Sequence, residues 1–139
     1  MAMTMHVNIV SAEQEIYSGT VTQLFAPAVM GEVGVMPRHA PMLSTLKPGV
    51  VRIVTQTGEE QDFFVSGGIL EIQPHIVTIL SDTAMRAGDI DEAAALQAKA
   101  HAEAIMKKKA SEMDYAKAKA ELLEAIAQIE TLKRLRKKR

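Results

Sequence analysis

Apolar and polar positions change their period once along this chain, near Gly88. Ahead of it they fall into short β-like runs. Residues 3–10, M-T-M-H-V-N-I-V, alternate weakly and run into S-A-E-Q, a strand followed by a turn. Residues 16–18 and 20–26 are β-prone on either side of Gly19, and Pro27, which has no N–H for a ladder, belongs at an edge or a bend. Residues 50–57, V-V-R-I-V-T-Q-T, make the clearest strand, rich in β-branched side chains and closed by a hairpin turn at Thr57-Gly58-Glu59. Residues 62–65 and 69–73 continue the pattern around Gly67-Gly68, and Pro74-His75 turns the chain into a strand over 76–80. Such a series, with no helix between its members, predicts an antiparallel sandwich or barrel.

Beyond Gly88 the spacing becomes helical. In D-I-D-E, Asp89 can cap free amide groups while Glu92 reaches back, and Lys107, Lys108 and Lys109 close the helix against its dipole. Residues 110–114, A-S-E-M-D, read as a stop and restart, with Ser111 capping and Asp114 at the matching third position. The second helix carries an apolar stripe of Leu122, Ile126, Ile129 and Leu132, widened by Leu123 and Ala127. The first offers seven alanines between Asp89 and Lys109 against four large apolar residues, Ile90, Leu96, Ile105 and Met106. Alanines let helix backbones approach closely, yet each buries well under the roughly 1.5–3 kcal/mol of a Leu or Ile. The predicted fold is therefore α+β in two parts: an N-terminal antiparallel β-sandwich over 1–86 and a C-terminal α-helical hairpin over 87–139. The hairpin is either an arm held loosely enough to move or an ordinary exposed pair of helices.

Charge sharpens this division. The net charge of −1 conceals −4 up to Arg86 and +3 from Ala87 onward. The terminal K-R-L-R-K-K-R places Lys133, Arg134, Arg136, Lys137, Lys138 and Arg139 together with no interleaved aromatic. That composition, on a negative body, favours an acidic protein surface over nucleic acid. No stretch approaches the roughly 18 apolar residues of a membrane span, and the start lacks the basic-then-apolar order of a secretory signal, so a soluble cytosolic chain without membrane insertion is expected. Zero cysteines exclude a disulfide or thiolate metal site, and the histidines at 6, 39, 75 and 101 lack metal-ligand spacing.

Catalytic motifs are equally scarce. Ser66-Gly67-Gly68 lacks the G-x-S-x-G elbow, no G-x-x-x-x-G-K-[ST] loop occurs, and the glycine pair reads as a bulge rather than a phosphate site. Asp89, Asp91 and Glu92 are explained by capping rather than cation binding, with Arg86 beside them as an ion-pair partner. The stretch G-E-V-G-V-M-P-R-H-A-P at 31–41 is a constrained loop carrying Glu32, Arg38 and His39, either a binding surface or a tight corner of the sandwich.

That loop, taken with S-A-E-Q at 11–14, K-P-G at 47–49, S-G-G-I-L-E-I-Q-P at 66–74 and A-x-R-A-x-D-I-D-E-A at 84–93, resembles the epsilon subunit of bacterial F-type ATP synthase along the full chain. The resemblance implies a non-catalytic rotor subunit in the central stalk of a proton-translocating complex, peripheral on the cytoplasmic face of the bacterial inner membrane and needing no cofactor. It implies a sandwich that binds the gamma subunit near Ser11 and presents Glu32, Arg38 and His39 to the ring of c subunits. It further implies helices that either fold against the sandwich or extend into the catalytic head, where the basic terminus meets acidic segments of the alpha and beta subunits and ATP hydrolysis is blocked.

One departure bears on nucleotide. Members that bind ATP between their folded helices resemble I/L-D-x-x-R-A, whereas Ile90-Asp91-Glu92-Ala93-Ala94-Ala95 has Ala94 in the arginine position. Losing that charge-assisted contact removes about 1.5–3 kcal/mol, and Glu130 adds repulsion if it lies nearby. Asp91 and Arg86 remain as weak candidates for a nucleotide contact. An ATP-sensing variant would bind nucleotide saturably as an isolated chain, and a basic-tailed nucleic-acid module would hold duplex with a steep salt dependence.

Overall fold

The computed structural model describes residues 3–108 and 111–138. Lys109 and Arg139, expected at the end of the first helix and in the basic tail, lie outside the described residues.

The first half is a β-sandwich built from β1 (Met5–Ser11), β2 (Glu15–Ala28), β3 (Gly31–Val35), β4 (Met42–Leu46), β5 (Gly49–Thr55), β6 (Glu60–Val65), β7 (Gly68–Ile72), β8 (Ile76–Ser81) and β9 (Ala84–Arg86). Hydrogen bonding runs in the order β1-β8-β7-β4-β2-β5-β6-β9, with β3 on β2 and β1 also on β2. Pairing is antiparallel except between β1 and β8, which run parallel. Period-two alternation then fills the interior: Met5, Val7 and Ile9 from β1 meet Val51 and Ile53, Phe63 and Val65, Leu70 and Ile72, Val77 and Ile79, all buried in one cluster. The Tyr17 and Phe63 rings pack tilted with centroids 5.5 Å apart.

Two local expectations need correction. Gly19 does not interrupt the strand, because β2 passes through it. A Cβ on Gly19 would stand 2.6 Å from the Tyr17 hydroxyl, so a side chain there would make the ring shift. Pro27 falls at the far end of β2, where its carbonyl accepts from the Lys47 amide at 2.9 Å. Gly67 and Gly68 form no bulge within one strand. With φ of +115° and +125° they carry the chain from β6 across to β7 in the other layer, and a Cβ on Gly68 would lie 1.9 Å from the Leu80 carbonyl oxygen.

A short 3-10 turn, Ala87–Asp89, leads to α1 (Glu92–Lys108), and α2 (Glu112–Lys137) returns antiparallel to it. The cap of α1 is Asp91, not Asp89: its Oδ1 accepts from the Ala94 amide at 3.1 Å. Ile90 explains the displacement, since it is extended and buried against the sandwich and so breaks the turn between the two acids. Ser111 caps α2 as expected, accepting from the Asp114 amide at 3.0 Å. The large apolar stripe of α2 is less buried than anticipated. Leu122, Ile126, Ile129 and Leu132 are half-buried and Leu123 is exposed, while Ala118, Ala125, Ala127 and Thr131 are buried. Close approach of α1 and the sheet favours the small residues at the contact.

Candidate functional site

The informative surface is the seam where α2 lies across the outer face of β5 and β6. Along β6 the alternation sends Phe63 and Val65 inward and leaves Asp62 and Phe64 outward, yet both outward residues are buried because α2 covers them. The apolar part of the seam is small: Phe64, Ile90 and Ala127, flanked by half-buried Met85 and Leu132. Its charged part is larger. Lys138 Nζ lies 2.9 Å from Asp62 Oδ2 and 3.2 Å from Glu60 Oε2, and Arg134 Nε lies 3.6 Å from the same Asp62 oxygen. The Asp62 side chain is 1% exposed. Neither of its oxygens has an aligned hydrogen-bond donor among the described residues, so its compensation is ionic. Glu60 is held below the ordinary carboxylate range, first by its hydrogen bond to Lys138, which burial opposes, and further by the charges of Lys138 and Arg52. Arg136 pairs with Glu92, tying the end of α2 to the start of α1.

Repulsion marks the middle of the same helix. Glu124 is pushed above the ordinary carboxylate range by burial, then by the charges of Glu121 and of Asp82 in the β8–β9 turn. The hairpin is thus attracted to the sandwich at its end and opposed at its centre.

The other anticipated residues are dispersed. Ser11 closes the β1–β2 turn, its Oγ donating to the Gln14 carbonyl at 3.1 Å and accepting from the Glu13 and Gln14 amides. Residues 31–35 of the anticipated loop are strand β3, so Glu32 is an exposed strand residue, and only Met36 to Pro41 form a corner. There Arg38 is exposed with φ of +66° and its amide donates to the Pro74 carbonyl at 2.9 Å. His39 is half-buried, its Nδ1 donating to the Ala40 carbonyl at 2.7 Å. Glu32 thus lies near the start of β3, while Arg38 and His39 lie in the corner beyond its end. Lys133 and Lys137 are exposed on α2. Arg86 does not pair with Asp89, Asp91 or Glu92. It donates to the Ile16 carbonyl at 2.9 Å and to Gln61 at 3.3 Å, and lies over the Tyr17 and Phe63 rings.

Sequence reasoning missed two surfaces. Leu43, Ile69 and Leu80 share the outer face of β4, β7 and β8 and are exposed, with Leu43 at 69%. A cleft lined by Val10, Ser11, Ile69, Leu80 and Asp82 adjoins them. The other is the pair Glu60 and Asp62. In both places the strand is apolar on two faces, I-L-E-I and D-F-F-V, which signals that something covers the second face. Near the start of α1 the groove between the helices, lined by Ala94, Ala98, Glu121, Glu124 and Gln128, presents carboxylates and no cation, whereas its far end carries His101, Lys108 and Lys117 beside Asp114 and Glu121. The carboxylate stretch repels a phosphate chain, and Arg86 and Asp91 are committed to structural contacts.

The described residues thus form a β-sandwich followed by a helical hairpin docked on its outer face. The description "ATP synthase, Delta/Epsilon chain, beta-sandwich domain" matches residues 4–87, and "ATP synthase, Delta/Epsilon chain, long alpha-helix domain" matches residues 89–133. A protein of Nitrosococcus oceani named ATP synthase epsilon chain is 63% identical over 138 residues, covering 99% of each chain. One of Methylococcus capsulatus named ATP synthase epsilon chain 1 is 58% identical, covering 100% of this chain and 99% of its own. A chain in the mitochondrial ATP synthase of Euglena gracilis, solved as the OSCP/F1/c-ring assembly, has the same fold with a TM-score of 0.83 at 19% identity, covering 93% of this chain and 81% of its own. This chain belongs to the delta/epsilon-chain family of ATP synthase, as an epsilon-type, non-catalytic subunit of the F-type complex.

Proposed function

We propose that the chain is a central-stalk rotor subunit that couples the gamma subunit to the c-ring on the cytoplasmic face of the bacterial inner membrane, and that its helices restrain ATP hydrolysis. The observation that carries the regulatory half is the seam. The hairpin is held to the sandwich by a small apolar patch and by charge, so an alternative position is energetically accessible. In that second position the basic end of α2, including Arg134, Arg136 and Lys138, meets acidic segments of the alpha and beta subunits. The exposed apolar face of Leu43, Ile69 and Leu80 beside Ser11 supports a gamma contact, since a soluble subunit leaves such a face bare only where a partner covers it. Glu32, Arg38 and His39 are assigned to the c-ring side. The carboxylates Glu121 and Glu124 in the groove beside Ala94 weigh against the ATP-sensing alternative.

Removing residues 133–139 tests the inhibitory role in the assembled complex. ATP hydrolysis should rise severalfold, and unchanged hydrolysis would take the tail out of the mechanism.

A further inference from the structure

Asp62 poses a question that the apolar packing does not answer. It is a carboxylate on the outer face of a strand, next to Phe64, and becomes buried only because α2 lies over it. Burying a charge is unfavourable unless opposite charge arrives with the burial, and here it arrives on the covering element itself, as Arg134 and Lys138. Arg134 lies in the last turn of α2 and Lys138 at its C-cap, where the helix dipole also favours positive charge. Glu60, more exposed, shares Lys138 and is bridged to Arg52 of β5 at 3.3 Å. With so small an apolar contact beneath α2, the charges decide whether it stays down.

We propose that Asp62 and Glu60 form an electrostatic clasp that holds the hairpin on the sandwich through Arg134 and Lys138, and that the clasp must open before these cations can reach an acidic partner. The clasp is a property of the chain alone; only its use in restraining hydrolysis rests on the proposed function. The same cations cannot serve both positions at once, so docking on the chain's own acids and engagement of a partner's acids exclude one another. Asp62 gives the device its sense of direction. Freed of α2 it is an ordinary hydrated acid, whereas under α2 without its cations it is a stranded buried charge. Losing the cations therefore expels the helix rather than merely weakening one contact.

The chain has no cysteine, so a label pair is unambiguous. Gln56→Cys on the β5–β6 turn and Gln97→Cys on α1 place spin labels on the two parts without touching the clasp, and the label distance in the isolated full chain reports docking. Arg134→Gln with Lys138→Gln should shift the population toward undocked by about tenfold or more. Adding Asp62→Asn to that pair should recover most of the docked population, since no stranded charge then remains. A docked population unchanged by the double substitution, or not recovered by Asp62→Asn, overturns the clasp. Asp62→Lys leaves the tail intact and should also undock the hairpin; persistence of docking would again overturn it. In the assembled complex, Asp62→Lys should lower ATP hydrolysis. If it undocks the isolated chain yet leaves hydrolysis unchanged, the clasp stands and the inhibitory reading of the helices falls.

Discussion

At Gly68 a side chain has neither room nor an allowed backbone, because a Cβ would stand 1.9 Å from the Leu80 carbonyl oxygen at a φ of +125°. Gly68→Ala should therefore lower the unfolding free energy by about 2–4 kcal/mol, seen as a fall in the denaturation midpoint. Gly88→Ala is the control: nothing lies within 4 Å of its Cβ, and stability should hold within about 0.5 kcal/mol. The glycine pair at 67–68 was legible as a departure from regular strand, but its meaning was not. The atom that forbids a side chain belongs to β8, and no local pattern announces which distant strand will cross there. Asp62 was harder still. Its neighbours Phe63, Phe64 and Val65 marked a strand buried on both faces, while the cations that make its burial tolerable lie at the opposite end of the chain.

Among the elements, legibility followed the strength of local signals. β1, β5, β7 and β8 and both helices could be read from periodicity and turn chemistry, because each carries its own apolar alternation or stripe. β3, with sequence G-E-V-G-V, and the three residues of β9 exist through pairing with β2 and β6, and glycine-rich or very short segments carry little propensity of their own. The cap of α1 shows the same competition. Asp89 and Asp91 are chemically equivalent candidates, and burial of Ile90 selects the second. Asp91→Ala should lower the local stability of the first turn of α1 by about 1 kcal/mol, read as faster amide exchange there, with the sandwich unaffected. Asp89→Ala should leave that exchange unchanged. Equal effects of the two would mean that the capping assignment is wrong.

For the whole molecule, two carboxylates on the seam give docking a pH dependence with two opposing limbs. Glu60 has its pKa lowered by Lys138 and Arg52, so its contribution is present above the ordinary carboxylate value of 4.5 and is lost as pH falls below it. Glu124 has its pKa raised, by burial and by Glu121 and Asp82, so its charged form opposes docking near neutrality and that opposition fades as protons bind at pH values above 4.5. Asp82 sits on the sandwich and Glu124 on the helix, which makes their repulsion part of the docking equilibrium itself. Lowering pH from 7 should first draw the hairpin closer to the sandwich, as Glu124 protonates, and then release it, as Glu60 loses its charge. The label pair across the seam would record a docked population that passes through a maximum at mildly acidic pH. Glu124→Gln should remove the rising limb and Glu60→Gln should flatten the falling one, while a docked population that declines monotonically from neutrality in the unsubstituted chain would show that Glu124 does not oppose docking.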